Sequence, residues 1–254
     1  PGRTEMPQFL GNVKDAQKGG PARAAKAVPQ KAQARFAAED KAQAKARPAR
    51  RKGRGGNPVK IMFLGGVGEI GKNMTAIEYG NDIIVIDAGL TFPDEELPGI
   101  DLVIPDISYL VANKNKVRGL LITHGHEDHV GGIPYFIKEI NCPVYGTKLT
   151  LALADNKLRE HRLNKVQMMT VKPGDKVKLG CFGVEFINVN HSIAGAVALL
   201  IDTPQGKIYH SGDFKIDLTP VAGQPIDLSR IAEIGRERVK LLLCESTNVE
   251  RPGY

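Results

Sequence analysis

The chain has 254 residues with 35 Lys and Arg, 28 Asp and Glu, and 42% hydrophobic residues, which is enough apolar material for a folded core. The sequence contains no run of about 18 consecutive apolar residues and no apolar N-terminal leader, so it predicts neither a membrane-spanning helix nor a secretory signal. The widely spaced cysteines Cys142, Cys181 and Cys244 form no CxxC pair. Their spacing predicts buried, reduced thiols in a cytoplasmic protein.

The positive charge is concentrated at the N-terminus. Residues 1–60 hold 15 Lys and Arg against 4 Asp and Glu, whereas the remaining residues hold 20 against 24. Residues 1–57 are rich in Ala, Lys, Arg, Gln, Gly and Pro, which predicts a disordered, low-complexity tail because such a segment cannot bury enough apolar surface. A basic tail indicates a polyanionic partner such as RNA. A purely solubilising tail remains an equal alternative at this point.

From residue 59 the sequence changes to short apolar runs, rich in Val and Ile, that are separated by turn residues. The YGND sequence at residues 79–82 is a hairpin turn signal. The predicted strands are residues 59–64, 74–79, 83–86, 117–123, 144–146, 166–171, 176–179, 184–190, 196–202, 207–210 and a last buried strand at 239–244. The predicted helices are residues 133–140, 148–162 and 228–237. This mixture favours an α/β fold of the α+β type, in which two sheets pack face to face with helices outside.

A glycine motif follows the first predicted strand. Residues 66–71 read GVGEIG, which matches the GxGxxG pattern of dinucleotide-binding folds. That fold requires a helix to open at the third glycine, but the following residues are β-branched and end in a turn. We therefore interpret the segment as a flexible loop between two antiparallel strands, which could border the mouth of an active site.

The strongest chemical signal is the sequence THGHEDHVGG at residues 123–132, directly after an apolar strand. It places three histidines and an aspartate within six residues, namely His124, His126, Asp128 and His129. Imidazole and carboxylate groups together suit a borderline cation such as zinc. The spacing therefore predicts a metal site in which one turn aims the first two histidines at one ion and the last two residues at a neighbouring ion.

The HxHxDH pattern resembles the signature of the metallo-β-lactamase superfamily, and three further positions match that family in order. Asp87 follows the strand sequence IIVI, His191 lies in INVNH, and Asp213 lies in YHSGDFK. The resemblance implies an αββα sandwich that is incomplete in this chain. From the residues alone, Asp87 as a turn cap, His191 as a core histidine and Asp213 as a surface turn residue stay open.

The resemblance also implies a site for two divalent ions, with Zn²⁺ expected and Mn²⁺ or Mg²⁺ as alternatives. Asp87 would brace the metal-binding loop, and Asp128 and Asp213 would orient a hydroxide nucleophile and manage its proton. The implied ligands are His124, His126 and His191 for the first ion, Asp128 and His129 for the second, and Asp213 as the bridge.

Longer segments resemble the ribonuclease J family of the β-CASP group. These segments are residues 63–80, 87–106 and 123–135, and residues 242–254 resemble the passage into the β-CASP domain. The resemblance implies a 5′-to-3′ exonuclease and endonuclease of RNA processing and decay. It also implies homo-oligomers of the full-length protein and partners among RNA-decay or ribosome-associated proteins.

After the tail at residues 1–57, which composition predicts, the same resemblance implies a metallo-β-lactamase domain at 58–246 and the entry to a β-CASP domain at 247–254. The family has a further metal-binding histidine after that domain, and no histidine follows His210 here. We therefore expect an N-terminal piece that binds one ion well, the second poorly, and has little activity by itself. Two alternatives stay open: another hydrolase of the same fold, such as a thioesterase or lactamase, or an inactive RNA-binding fragment.

Overall fold

The computed structural model describes residues 57–94 and 97–252, so residues 1–56 of the predicted tail at 1–57, residues 95–96 and the final two residues lie outside the described part. Each predicted strand and helix is present, and its observed bounds differ from the predicted ones by at most two residues. The strands form two sheets. The order of strands in the first sheet is β1 (Lys60–Gly65), β2 (Met74–Tyr79), β3 (Asp82–Ile86), β4 (Val117–Leu121), β5 (Val144–Gly146) and β6 (Met168–Thr170).

The first sheet is mixed: β1, β2 and β3 are antiparallel neighbours, whereas β3, β4, β5 and β6 run parallel. The predicted hairpin joins β2 to β3, and Tyr79 pairs with Asp82 at its turn. The order of strands in the second sheet is β11 (Leu241–Leu243), β10 (Gly206–His210), β9 (Val197–Thr203), β8 (Phe182–Asn188) and β7 (Lys176–Leu179). Only the β10–β11 pair is parallel within this second sheet.

Five α-helices and one short 3₁₀ turn occur within the described residues. They are α1 (Ser108–Ala112), the 3₁₀ turn (Lys114–Lys116), α2 (Glu127–Val130), α3 (Ile133–Glu139), α4 (Lys148–Glu160) and α5 (Leu228–Arg236). Helix α3 begins with Pro134 in its first turn, where a missing backbone N–H costs nothing. Helix α5 is capped by Asp227, whose side chain accepts a hydrogen bond from the backbone N–H of Arg230. The sequence did not predict α1 or α2.

Alternation along the strands builds three apolar layers, because successive side chains point to opposite faces of a sheet. The layer between the two sheets includes Ile77, Ile84, Ile86, Leu121, Val184, Phe186, Leu199 and Ile201. The outer face of the first sheet packs on the helices through Val85, Leu120, Ile133, Phe136, Leu151 and Leu158. The outer face of the second sheet packs on α5 through Ile187, Ala198, Leu200, Tyr209 and Ile234. The predicted face-to-face sheets with outer helices are therefore confirmed.

Two predictions about burial were wrong. Strand β11 is not a buried strand, since Leu241 and Leu242 are 37% and 59% exposed. It lies at the edge of the second sheet, where the described residues place a neighbouring strand on one side only. Cys244 follows this edge strand and is exposed, whereas Cys142 is buried and Cys181 is half-buried; all three are free thiols. No helix in the described ranges is both long and apolar enough to cross a membrane.

The strand directions bring four chain segments to one edge of the sandwich. Strands β3 and β4 are parallel, and β8 and β10 both run antiparallel to β9, so each of these pairs ends on one side of its sheet. The backbone N–H of Val197 donates to the carbonyl of Thr123 at 3.0 Å, which joins the start of β9 to the end of β4. The segments after β3, β4, β8 and β10 consequently meet at this edge.

Candidate metal centre

The histidine loop, residues 123–132, connects β4 to α3 and contains the single turn of helix α2. The backbone N–H of His129 donates to the carbonyl of His126 at 2.9 Å, which closes this turn. His124 and His129 are buried, whereas the Asp128 side chain is 33% exposed and faces the open side of the loop. The tight turn thus separates the buried His124 from the more accessible Asp128 within five residues of chain.

Three imidazoles converge on one point. The Nε2 atom of His124 lies 3.1 Å from Nδ1 of His126, and Nε2 of His191, contributed by the loop after β8, lies 3.2 Å from the same Nδ1 atom. Ligand nitrogens around a tetrahedral zinc ion with Zn–N bonds of about 2.05 Å lie about 3.3 Å apart. Three clustered nitrogens carry lone pairs that repel one another unless a cation or protons lie between them. The donor set therefore fits a metal ion.

A second group lies beside the first. The Nε2 atom of His129 is 3.5 Å from Oδ2 of Asp128 and 3.5 Å from Oδ2 of Asp213, which follows β10. Ligand atoms of His124, His129 and Asp213 also lie within 4.8 Å of one another. The same Asp213 oxygen is 3.9 Å from Nε2 of His191 in the first group. Asp213 therefore contacts both groups, as a bridging carboxylate would.

Asp87 fixes the loop from the end of β3. Its Oδ1 atom accepts a hydrogen bond from the backbone N–H of Thr123 at 2.8 Å, and its Oδ2 atom accepts one from the Thr123 hydroxyl at 2.8 Å. The Thr123 oxygen is also 3.1 Å from Nδ1 of His124. The hydroxyl can accept from this imidazole while donating to Asp87, which leaves Nε2 of His124 directed at the cluster.

The buried histidines differ in the direction in which their pKa values are shifted. Burial, reinforced by the charge of His129, lowers the pKa of His124 to about 3, so this imidazole is neutral. Burial also lowers the pKa of His191. Burial would lower the pKa of His129 too, but the carboxylates of Asp87 and Asp213 outweigh it and raise that pKa to about 10. A cation is thus favoured where His129 meets Asp213, and a divalent ion would replace the proton there.

The pKa of Asp213 is lowered, whereas that of its partner His129 is raised. Burial would raise the pKa of its carboxyl, but the hydrogen bond and charge of His129, followed by the neighbouring His124 and His191, bring it down to about 2. The carboxylate is therefore ionised at neutral pH and available to a metal ion. His210, the last residue of β10, is half-buried next to this turn, and its Nδ1 atom accepts a hydrogen bond from the backbone N–H of Gly212 at 3.1 Å.

Two residues that shape the site, Asn73 and Glu245, were not predicted from the sequence. The Asn73 carboxamide nitrogen lies 3.2 Å from Oδ2 of Asp128. The Glu245 side chain accepts hydrogen bonds from the backbone N–H groups of Phe214 and Thr247. A lone Asn and a lone Glu far from the histidine loop carry no pattern by which a sequence could have identified them.

A cavity of about 730 Å³ opens over the second group. The glycine segment 65–71 lines one wall, and residues 242–251 line the other, with Asp87, Asp128, His129 and Asp213 at its base. The residues after Lys72 form β2 rather than a helix, so the GxGxxG motif lacks the helix N-terminus that binds a dinucleotide phosphate. The glycine loop therefore borders the mouth of the site.

The chain is similar to several known ribonucleases. It is 48% identical over 77% of its length to ribonuclease J of Synechocystis, and 48% identical over 78% to ribonuclease J 1 of Streptococcus pyogenes. It is also 45% identical over 77% to ribonuclease J2 of Bacillus subtilis. These matches cover 31%, 35% and 36% of the respective relatives, so the chain spans about a third of their length. The resemblance to ribonuclease J is confirmed.

A solved structure supports the fold. A protein of unknown function from Enterococcus faecalis matches 77% of this chain and 52% of its own chain, with a TM-score of 0.54 and 21% sequence identity. A family model described as the metallo-beta-lactamase superfamily matches residues 67–216, which include Asp87, the histidine loop, His191 and Asp213. The chain therefore belongs to the metallo-β-lactamase superfamily.

Proposed function

We propose that this chain is the metal-binding part of a ribonuclease that hydrolyses RNA phosphodiester bonds. The observation that carries the proposal is the convergence of His124, His126, His191, His129 and Asp213 in a chain 48% identical to ribonuclease J over 77% of its length. The superfamily fold by itself hosts many reactions, so the similarity to ribonucleases supplies the substrate class. A divalent ion at each group, with zinc expected and Mn²⁺ or Mg²⁺ as alternatives, would acidify water and neutralise phosphate charge.

The residues of the chain have separate tasks in this proposal. His124, His126 and His191 form one ligand group, and Asp128 and His129 form the other, with Asp213 between them. Asp128 and Asp213 are the proposed catalytic carboxylates: both are partly exposed and line the cavity, where they would orient the attacking oxygen and one of them would accept its proton. Thr123 and Asp87 hold the imidazoles in the tautomers that metal ligation requires.

Incubating the chain with 5′-monophosphorylated RNA and Zn²⁺ or Mn²⁺ tests the proposal. We expect weak cleavage by this chain and stronger cleavage by longer forms of the protein, and both should be abolished by a chelator and by His124→Ala. The matched control is His161→Ala, because His161 lies against Tyr135 rather than at the site. Products released one nucleotide at a time from the 5′ end would support exonuclease action, and internal fragments would support endonuclease action. Hydrolysis of a thioester or β-lactam, with RNA left intact by this chain and by longer forms of the protein, would replace the proposal with another hydrolase.

A second proposed role is RNA binding by the tail. It is supported by the positive charge of residues 1–60, which hold 15 Lys and Arg but only 4 Asp and Glu. Deleting residues 1–57 should weaken RNA binding and flatten its dependence on salt. If affinity and salt dependence are both unchanged, the tail is a solubilising segment instead. For the whole protein, we further propose a cytoplasmic location, homo-oligomers, and partners among RNA-decay or ribosome-associated proteins.

A further inference from the structure

We propose that Asn73 is a positioning residue whose carboxamide holds the Asp128 carboxylate ready for a metal ion. The glycine segment 65–71 then serves to make room for that carboxamide. The inference rests on the proposed function, since it concerns the ligand group formed by Asp128 and His129. It assigns a role to the glycine motif, which neither the fold nor the metal ligands explain.

The backbone of Asn73 is fixed on two sides. Asn73 precedes β2, and its N–H donates to the carbonyl of Asp128 at 3.0 Å, while its own carbonyl accepts from the N–H of Gly89 at 3.0 Å. A Cβ atom at Gly89 would lie 1.6 Å from the Asp128 carbonyl oxygen. Residues 73, 89 and 128 are therefore packed backbone against backbone, which leaves little freedom for the Cα position of Asn73.

The side chain of Asn73 adds two contacts to the same aspartate. Its Nδ2 atom lies 3.1 Å from the Asp128 carbonyl oxygen and 3.2 Å from Oδ2 of the Asp128 carboxylate. Both partners are acceptors only, so chemistry requires the NH₂ end of the carboxamide at this position. Its third neighbour is Nε2 of His129 at 3.1 Å. The carboxamide thus touches both residues proposed to bind the second ion.

The glycine motif accommodates the other end of the carboxamide. A Cβ atom at Gly66 would lie 2.3 Å from Oδ1 of Asn73, which is closer than real Cβ contacts allow. Gly66 also has a φ of +82°, a conformation that favours glycine. The loop closes on itself, because the Glu69 side chain accepts a hydrogen bond from the Gly66 N–H at 3.2 Å and pairs with Lys72 at 3.0 Å.

Asp128 needs such a partner because it is the most exposed of the proposed ligands in its group. Its side chain is 33% exposed, against 3% for His129 and 25% for Asp213. Within residues 57–94 and 97–252, Asn73 is the one neutral side chain that hydrogen-bonds this carboxylate. An exposed carboxylate without a partner samples several rotamers, and ordering them costs binding free energy. Partners that orient metal ligands typically contribute about 10- to 100-fold in metal affinity.

Zinc titration of the 254-residue chain, followed by calorimetry and by measurement of bound metal, tests the inference without requiring activity. Two variants remove the donor: Asn73→Ala, and Asn73→Leu, which keeps a similar side-chain volume. We expect both variants to lower the affinity for the second zinc ion by roughly 10-fold or more. The first ion, on His124, His126 and His191, should bind as in the wild type. Asn113→Ala is the control, because that carboxamide also donates to a backbone carbonyl but in an exposed turn far along the chain.

Three outcomes would contradict the inference in distinguishable ways. Unchanged affinity for the second ion in both variants would overturn it and leave the two-ion proposal intact. Loss of both ions together with a lowered melting temperature would show that Asn73 is needed only for folding. A wild-type chain that shows no second, weaker binding event even at a large excess of zinc would overturn the two-ion proposal itself, and the positioning role with it.

Discussion

The Oδ2 atom of Asp87 lies 2.8 Å from Nδ1 of His129, and both side chains are only 3% exposed. This contact joins the end of β3 to the helical turn α2. Because a carboxylate accepts and does not donate, Asp87 keeps the proton on Nδ1 and turns Nε2 towards Asp128 and Asp213. Asp87 has a φ of +59°, and an aspartate tolerates this left-handed conformation better than most residues. The bracing role that the family resemblance implies for Asp87 stays a prediction, and this contact supports it.

Asp87→Asn is predicted to weaken metal binding at His129. Oδ1 must still accept from the backbone N–H of Thr123, so the new NH₂ group would point at Nδ1 of His129. That nitrogen would then accept, and the proton would move to Nε2, which faces the ion. We expect a loss of roughly 10- to 100-fold in zinc affinity at this ligand group, measured by competition with a chelating dye. Asp106→Asn, at an exposed turn, should bind zinc as the wild type does, and equal affinities for both variants would contradict the role of Asp87.

His124→Ala is predicted to abolish binding of the first ion, the one held by the three-histidine group. His124 is fully buried, and its Nε2 atom faces His126 at 3.1 Å, so no neighbouring side chain can replace it. Elemental analysis of the purified chain should show a loss of about one bound ion relative to the wild type. His161→Ala should retain all bound metal, because His161 packs against the ring of Tyr135. Full metal content in His124→Ala would contradict the ligand assignment.

The sequence predicted the elements well because strand and turn signals are local. Short segments bounded by turn residues predicted β2 at residues 74–79 and β7 at 176–179 with their observed bounds. The histidine loop was recognisable because its ligands lie within six residues. Asp87, His191 and Asp213 needed the family resemblance, since each is a single polar residue after a strand and has a structural alternative.

The remaining features depend on contacts between distant segments. Asn73 and Asp128 are 55 residues apart, and no local pattern predicts that their side chains meet. The exposure of β11 depends on its position at the sheet edge, which strand propensity does not encode. Helix α2 has only four residues and is closed by the same turn that aims the metal ligands, so it is too short for a periodic signal.

Gly89→Ala is predicted to destabilise the chain strongly. The new methyl group would lie 1.6 Å from the Asp128 carbonyl oxygen, and this backbone is held by neighbours on both sides. Overpacking of this kind costs about 1–3 kcal/mol or more in the free energy of unfolding. Gly235→Ala is the matched control, because a Cβ atom there meets nothing within 4 Å and Gly235 lies inside helix α5. It should raise stability by about 0.5–1 kcal/mol, and similar urea midpoints for both variants would contradict the packing argument.

Glu185→Gln is predicted to make stability less dependent on pH. Glu185, on β8, accepts from Nε and Nη2 of Arg230, on α5, at 2.7 and 2.8 Å, and the two side chains are 10% and 23% exposed. The hydrogen bond to Arg230, aided by Lys176 and opposed by burial, holds the pKa of Glu185 below its ordinary value of 4.5. A lowered pKa in the folded state stabilises the fold above pH 4.5, and this contribution disappears as the pH falls through the folded-state value.

Urea unfolding of the wild type and Glu185→Gln between pH 7 and pH 3 measures this contribution. We expect the variant to be less stable by about 1–2 kcal/mol at pH 7, because it loses a charged hydrogen-bond partner, and the difference should shrink towards zero at the acid end. Asp155→Asn removes an exposed helix pair with Arg159, whose side chains are 39% and 71% exposed, so it should change stability by less than about 0.5 kcal/mol at every pH. A difference for Glu185→Gln that stays constant down to pH 3 would mean that the charge of Glu185 does not stabilise the contact between β8 and α5.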